Sequence, residues 1–293
     1  MALNIQHFFD TATSTLSYVV WDAGTLDAVI IDPVLDFDPV NLNFSEVSIS
    51  KLLTFVHDNG LNVRHVLETH IHADHITGAS RLREKLSAQL VVGSLLPQIQ
   101  ETFVELLGLD GSEINADIFD VLMADNDVLQ SGSLTIRAIH TPGHTPACTT
   151  YLIEDAIFAG DTLFMPDFGT GRCDFPNGSA ETLYNSIKKL YELPEGTRVF
   201  VAHDYQPGGR ELAFETTIGA CKIGNKQLKA STPKEDFLKF RTERDAQLNL
   251  PKLIFQSVQL NIRAGALPQP QSNGVRLMRI PLFADGVFSG AGN

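Results

Sequence analysis

Thr69-His70-Ile71-His72-Ala73-Asp74-His75-Ile76-Thr77-Gly78 places three histidines and an aspartate within six residues. The segment before it, residues 63–68 (VRHVLE), is short, apolar and β-branched, the composition of a buried strand. The cluster therefore falls at the C-terminal end of that strand, where open α/β sheets bind ligands. If the chain is still extended from His70 to His72, the period of two puts both imidazoles on one side. A turn through Ala73 then brings Asp74 and His75 back towards the same point. Imidazole nitrogens and a carboxylate converging in this way read as a metal site.

Upstream, residues 13–22 (TSTLSYVVWD) and 27–32 (DAVIID) are strand-like runs joined by hairpin chemistry at Ala23-Gly24-Thr25, and Asp32-Pro33 ends the second. Apolar residues near helical spacing predict a helix over 45–58, closed by Asn59-Gly60. Downstream, 79–86 and 99–107 read as helices flanking a strand at 89–92. The second half repeats the theme. A strand over 134–139 runs into His140-Thr141-Pro142-Gly143-His144-Thr145, a pair over 149–153 and 156–159 ends in Gly160-Asp161-Thr162, and 199–202 delivers His203-Asp204-Tyr205. Strand-end placement of His70, His72, His144, Asp161 and His203 points to one shared site. Residues 163–178, rich in glycine and proline, can cover it, and 180–191 is helical. After Arg210 the composition changes: helices over 211–230 and 233–245, a proline-rich linker at 267–271 and a short strand over 275–280. This predicts a core over 1–210 and a C-terminal extension, 211–293, packing on it.

The other candidates divide by position. His7, His57 and His65 lie off the strand-end pattern and read as surface or capped histidines. The turn at Pro142-Gly143 would aim only one of His140 and His144 at a metal. Arg172, in the covering loop, and Tyr205, directly after His203-Asp204, are candidates for the site. Cys148, Cys173 and Cys221 are too few and too widely spaced for a disulfide framework or zinc knuckle, and read as inert reduced thiols.

The bulk properties exclude several classes. With 293 residues, 43% of them hydrophobic, the chain can bury a large core without staples. No apolar run approaches the roughly 20 residues of a membrane span, and the first residues lack the features of a signal peptide, so a cytoplasmic protein is expected. A net charge of −13 without a basic block argues against nucleic acid or an anionic membrane as partner. An anionic substrate must therefore meet local positive charge. There is no Gly-rich phosphate loop and no G-x-S-x-G elbow. A homodimer is compatible with the sequence.

With these residues assembled, the chain resembles the metallo-β-lactamase fold superfamily, whose HxHxDH motif is matched by His70, His72, Asp74 and His75, and whose later ligands are matched by His144, Asp161 and His203. The resemblance implies an α/β fold, an αββα sandwich with metal at one end of two sheets, here with a C-terminal helical extension. The strings Thr141-Pro142-Gly143-His144-Thr145-Pro146, Gly160-Asp161-Thr162-Leu163-Phe164, Gly171-Arg172-Cys173-Asp174-Phe175 and Ala202-His203-Asp204-Tyr205 look like the persulfide dioxygenases, particularly their bacterial β-lactamase-hydrolase-like branch. Cys173 departs from that pattern, where relatives often carry threonine.

What this resemblance implies is one Fe(II) per chain held by His70, His144 and Asp161, with His72, Asp74, His75 and His203 around it. Two histidines and one carboxylate leave positions open for substrate and dioxygen. The implied reaction converts glutathione persulfide, O2 and water to glutathione and sulfite. The alternative is a glyoxalase II-type thioesterase, using the same seven residues for two zinc, iron or manganese ions and a bridging hydroxide. A closed structural zinc site would be cysteine-rich, which this cluster is not.

Overall fold

The structure, a computed structural model, describes residues 3–111, 114 and 116–282; the end of the expected extension, 283–293, lies outside them. The chain opens on a strand that the sequence reading passed over, β1 (Leu3–Asp10), which pairs antiparallel along its whole length with β2 (Thr15–Asp22). β2 turns into β3 (Asp27–Ile31) through the expected hairpin, where Asp22 Oδ1 accepts from the Gly24 amide at 2.9 Å. Next come the short strands β4 (Val34–Asp38) and β5 (Asn43–Ser45), then α1 (Val47–Asp58), whose first turn is braced by Asp36 through the Ser48 amide and hydroxyl at 2.8 Å. β6 (Asn62–Leu67) lies parallel to β3 and leads into the histidine cluster. β7 (Ile76–Thr77), α2 (Ala79–Leu86), β8 (Gln89–Gly93), α3 (Leu96–Leu107) and β9 (Val121–Met123) complete this half. Its large sheet runs β1-β2-β3-β6-β8-β9, and β5-β4-β7 form a small one.

The second half supplies β10 (Val128–Ser131), β11 (Leu134–His140), β12 (Thr149–Ile153), β13 (Ala156–Phe158), α4 (Ala180–Leu190), β14 (Arg198–Phe200), β15 (Glu215–Thr217), α5 (Ile218–Gly224), α6 (Lys234–Asp245) and α7 (Ile254–Asn261). β10 to β15 form a six-stranded sheet in sequence order, parallel only between β13 and β14. The period-two rule sorts the strands between two cores. Leu16, Tyr18 and Val20 of β2 pack with Ile136, Ala138 and Tyr151 of the second sheet, while Val19 between them packs with Ile49 and Leu52 of α1 and Phe103 of α3. Burial of each Leu, Ile, Val or Phe among them is worth about 1.5–3 kcal/mol. This is the metallo-β-lactamase αββα sandwich, with α1, α2 and α3 on the first sheet and α4 joined to the core of the second.

One irregularity aims the site. Ala28 of β3 faces Val63, but the next residue, Val29, faces His65, so Arg64 is an extra residue on β6. The bulge reverses the parity of β6, so that Val63 and Val66 both face the helices while Leu67 joins the core between the sheets. Arg64 is held there by Asp27, Nε to Oδ1 at 2.9 Å.

Two expectations need correction. Residues 211–230 are not one helix: Thr216 and Thr217 extend into β15, opposite Val199 and Arg198 of β14, and only α5 is helical. Thr217 caps α5 by accepting from the Ala220 amide at 3.1 Å, and the Asn225 side chain then turns the chain by accepting from the amides of Gln227 and Leu228. Residues 275–280 form no strand. Their backbone meets a side chain instead of a neighbouring strand: Gln259 accepts from the Arg279 amide at 3.0 Å and donates to the Arg279 carbonyl at 3.1 Å.

Candidate metal centre

β6 stops at Leu67, and the chain bends at Thr69 and His70 before it reaches His72. Both imidazoles nevertheless reach the same side, with ring centroids 4.1 Å apart, because the loop is tied to its neighbours at each step. Glu68 N donates to Val91 O at 2.9 Å, Thr149 N donates to Thr69 O at 2.8 Å, and Tyr151 Oη donates to Glu68 O at 3.0 Å. The end of β13 comes close because Gly160, at φ +52°, has no side chain: a Cβ there would lie 2.7 Å from Thr69 Oγ1. His144 arrives from the turn after β11, Asp161 from the end of β13 and His203 from the end of β14. Of the two histidines flanking Pro142-Gly143, His140 turns away, its Nε2 on Met123 O at 2.9 Å, and His144 alone enters the site.

The hydrogen bonds fix which nitrogen of each ring is free. Thr69 Oγ1 donates to Asp32 Oδ2 at 2.8 Å, so towards His70 Nδ1, 3.0 Å away, it can only accept. His70 therefore carries its proton on Nδ1 and keeps a lone pair on Nε2. By the same logic His144 Nδ1 donates to Arg172 O at 2.8 Å, His75 Nδ1 to Asp74 Oδ2 at 3.0 Å and His203 Nδ1 to Ser14 O at 3.1 Å. His72 is reversed: Nε2 donates to Asp32 Oδ1 at 3.1 Å, which frees Nδ1. The freed atoms His70 Nε2, His72 Nδ1, His75 Nε2 and His203 Nε2, with Asp161 Oδ1, are buried and have no hydrogen-bond partner. Buried donors and acceptors are ordinarily paired, and a ring nitrogen held on one side and bare on the other is the habit of a metal ligand. The residues fit a metal ion.

The donors fall into two groups. The ligand atoms of His70, His144 and Asp161 lie within 4.8 Å of one another, as do those of His72, Asp74 and His75. His203 Nε2 sits between, 3.3 Å from Asp161 Oδ1 and 3.5 Å from Asp74 Oδ2. Burial, reinforced by neighbouring His72 and His144, holds His70 well below the ordinary imidazole pKa, and burial likewise lowers His75. Neutral imidazoles are the form that binds metal. Burial opposes charge on His203 and His72, but the carboxylates of Asp161 and Asp74 for the first, and of Asp32 and Glu68 for the second, raise them instead.

Behind the donors lies a shell that is not part of the histidine motif. Asp32 accepts from the Thr69 amide, the Thr69 hydroxyl and His72, and Glu68 Oε2 is 3.2 Å from the same His72 nitrogen. Thr77 donates to the other oxygen of Glu68, and burial pushes that carboxyl above its ordinary pKa. Asp32 sits at a strand end, so the rule that singled out Asp161 would also have found it.

Beside Asp161 opens a cavity of about 210 Å³ lined by Phe164, Phe168, Arg172, Tyr205, Arg244 and others. Tyr205 stacks on His203 with centroids 5.5 Å apart and meets Phe168 at a tilt, with centroids 4.7 Å apart. Arg172 lies in this wall, but Asp174 holds its guanidinium by both ends and Asn249 O takes a third hydrogen bond at 2.8 Å. Arg244, which no motif indicated, is exposed at the same wall and has no ion pair among the described residues. Cys173 is buried, and burial pushes its thiol up, as expected of an inert neighbour.

Fold and donor set together define a class, and the sequence comparison agrees: residues 10–203 match the metallo-beta-lactamase superfamily, and the chain belongs to it. Glyoxylase B2 of Dictyostelium discoideum is 44% identical over 95% of this chain and 96% of its own length. The human mitochondrial persulfide dioxygenase ETHE1 is 32% identical over 89% of this chain and 88% of its own. Among solved structures, ETHE1 from Myxococcus xanthus superimposes with a TM-score of 0.73 at 31% identity, covering 90% of this chain and all of that one. The chain is thus a metal-binding member of a superfamily of metallo-hydrolases and their relatives. No helix of the described residues is long and apolar enough to cross a membrane.

Proposed function

We propose that this protein is a persulfide dioxygenase, converting glutathione persulfide, O2 and water to glutathione and sulfite, with one Fe(II) held by His70, His144 and Asp161. The observation that carries the reading is the position of Asp161, which belongs both to the His70-His144-Asp161 donor group and to the wall of the cavity. A guest in that cavity meets the metal corner directly, with the cations of Arg172 and Arg244 beside it. Asp174 already pairs Arg172, so Arg244, which has no ion pair among the described residues, is the cation that suits a substrate bearing carboxylates and a sulfur anion on a chain of net charge −13. Activation of dioxygen is the chemistry a ferrous ion supplies there, and the 2-His-1-carboxylate set leaves positions open for it. The chain's residues hold the donors in the required tautomers, stack Tyr205 over His203 and keep the corner enclosed by Phe164 and Phe168. The likeness to proteins named ETHE1 supports the same reading.

A second reading is favoured by one observation: the bare nitrogens of His72, His75 and His203, with Asp74, offer donors for a second ion. Two ions would suit a glyoxalase II-type thioesterase. The test is oxygen uptake and sulfite release from glutathione persulfide by ferrous-loaded protein, run beside hydrolysis of S-lactoylglutathione. Rapid thioester cleavage without oxygen uptake, at two ions per chain, replaces the first reading with the second. In the dioxygenase, Arg172→Ala should raise KM for the persulfide while iron content by elemental analysis stays at the parent level. We also propose the division near residue 210, with 211–282 packed on the core through α6 against α4 and α7 against β7.

A further inference from the structure

α7, the last helix among the described residues, ends inside the metal loop. Asn261, the last residue of α7 and 1% exposed, donates from Nδ2 to His72 O and to His75 O, each at 2.8 Å, and accepts on Oδ1 from the Thr77 amide at 2.9 Å. One amide thus spends both protons and its oxygen on three backbone groups of a six-residue stretch, 72–77. The residues after it continue the contact. Ala264 O accepts from the Ser80 amide at 3.0 Å, and Gly265, at φ +78°, lies so close that a Cβ would be 2.1 Å from Thr77 O.

This is more than helix packing requires. Apolar contacts such as Val258 and Ile254 in the helix-facing core would hold α7 in place without any bond to the loop. The loop needs the bonds. Between His72 and His75 the chain has left the sheet and follows no regular ladder, so its carbonyls have no strand or helix partner, and a buried carbonyl left unpaired is destabilising.

We propose that Asn261 is a positioning residue for the metal centre: by gripping the carbonyls of His72 and His75 it sets where both imidazoles point, and so how tightly metal is held. This rests on the metal-centre part of the function proposed above and is indifferent to persulfide or thioester as substrate. The C-terminal extension thereby becomes part of the site without contributing a ligand.

The test uses Co(II) on metal-stripped full-length protein, reading affinity by titration and ligand geometry by the visible spectrum, beside the melting temperature of the metal-free form. Asn261→Asp keeps the size and the acceptor but removes both donors. Val258→Ala is the control, loosening the packing of the same helix while leaving the Asn261 hydrogen bonds to the loop in place. Asn261→Asp is expected to weaken Co(II) binding by about 10- to 100-fold and alter its spectrum. Val258→Ala should lower the melting temperature and leave affinity within about twofold, well short of that range. Parent-like affinity in Asn261→Asp, or an equal loss in Val258→Ala, overturns the proposal. If Asn261→Asp does not fold, Asn261→Ser is read instead: its single hydroxyl can serve only one carbonyl, so an intermediate loss is expected and parent-like binding overturns the proposal. Failure of the parent itself to bind Co(II) is a separate result, which removes the metal-centre reading.

Discussion

The two halves of the sandwich build their shares of the site in opposite ways. The first sheet offers His70, His72, Asp74 and His75 from one continuous loop, whereas the second offers His144, Asp161 and His203 from short turns after three separate strands. A strand end inherits its position from the ladder behind it. A loop does not, and this one is held by outside partners: Asp32 and Glu68 beneath His72, Asn261 behind its carbonyls, Thr149 and Tyr151 from the other sheet. Donors close in sequence therefore need more support from elsewhere than donors far apart.

The sharpest way to break this comparison is to remove donors from each half. If one ion sits at the tight corner, His144→Ala or Asp161→Ala should cost more than about 100-fold in metal affinity, beyond the range of supporting residues, and empty the purified protein. Asp74→Ala and His75→Ala should retain most of the metal. Iron per chain by elemental analysis decides, and equal loss in all four variants favours two ions. The next effect belongs to the loop's support. Asp32→Asn leaves three hydrogen-bond donors facing a group that can no longer accept them all, so affinity should fall about 10- to 100-fold with the ligands intact.

On the strand-end side the corresponding brace is Arg210, which grips the buried Asp204 with two hydrogen bonds of 2.7 Å and also holds Asp167 of the covering loop. Arg210→Ala leaves Asp204 with the amides of Gln206 and Ala213 but no cation. Stability should drop by about 1–3 kcal/mol, less than for a fully buried pair because the arginine is partly exposed. KM should rise about tenfold while metal content is unchanged, since the loop carrying Phe168 and Arg172 loses its anchor. Urea titration and steady-state kinetics measure the two effects.

The smallest effect lies between the sheets. His65 is buried on Ser131 Oγ at 2.8 Å, and burial lowers its pKa. A depressed histidine binds its proton more readily when unfolded, so the parent should lose stability as pH falls below about 6.5, by at most about 1.4 kcal/mol per pH unit. His65→Gln keeps a polar partner for Ser131 and removes the titration. Its melting temperature, measured metal-free, should therefore fall less steeply than the parent's below that pH.

The sequence carried the site further than it carried the fold around it. Strand ends show as an apolar run followed by His, Asp or Gly, so β6, β11, β13 and β14 were readable, and the donors came with them. β1 escaped because its residues are all half-buried or exposed on a sheet edge, which blurs the alternation that marks a strand. The misjudged stretch 211–230 has helix-like apolar spacing, but β-branched Thr216 and Thr217 find a partner strand that only the tertiary structure provides. α7 was not singled out, and with it Asn261, whose importance lies in three long-range hydrogen bonds that leave no local signature. Arg244 is similar: one exposed cation among many until the cavity gives it a place.

The close approach at Gly160 bears on how such chains diverge. A methyl group there would meet Thr69, the residue that fixes the His70 tautomer, and at Gly171 it would fall 2.0 Å from the Asp161 carbonyl oxygen. Neither glycine has anything to offer a metal. A descendant of this protein could keep all seven donor side chains and still fall silent through a single glycine-to-alanine change beside them. Such a lineage would pass any inspection of its ligands while having lost the room in which they meet.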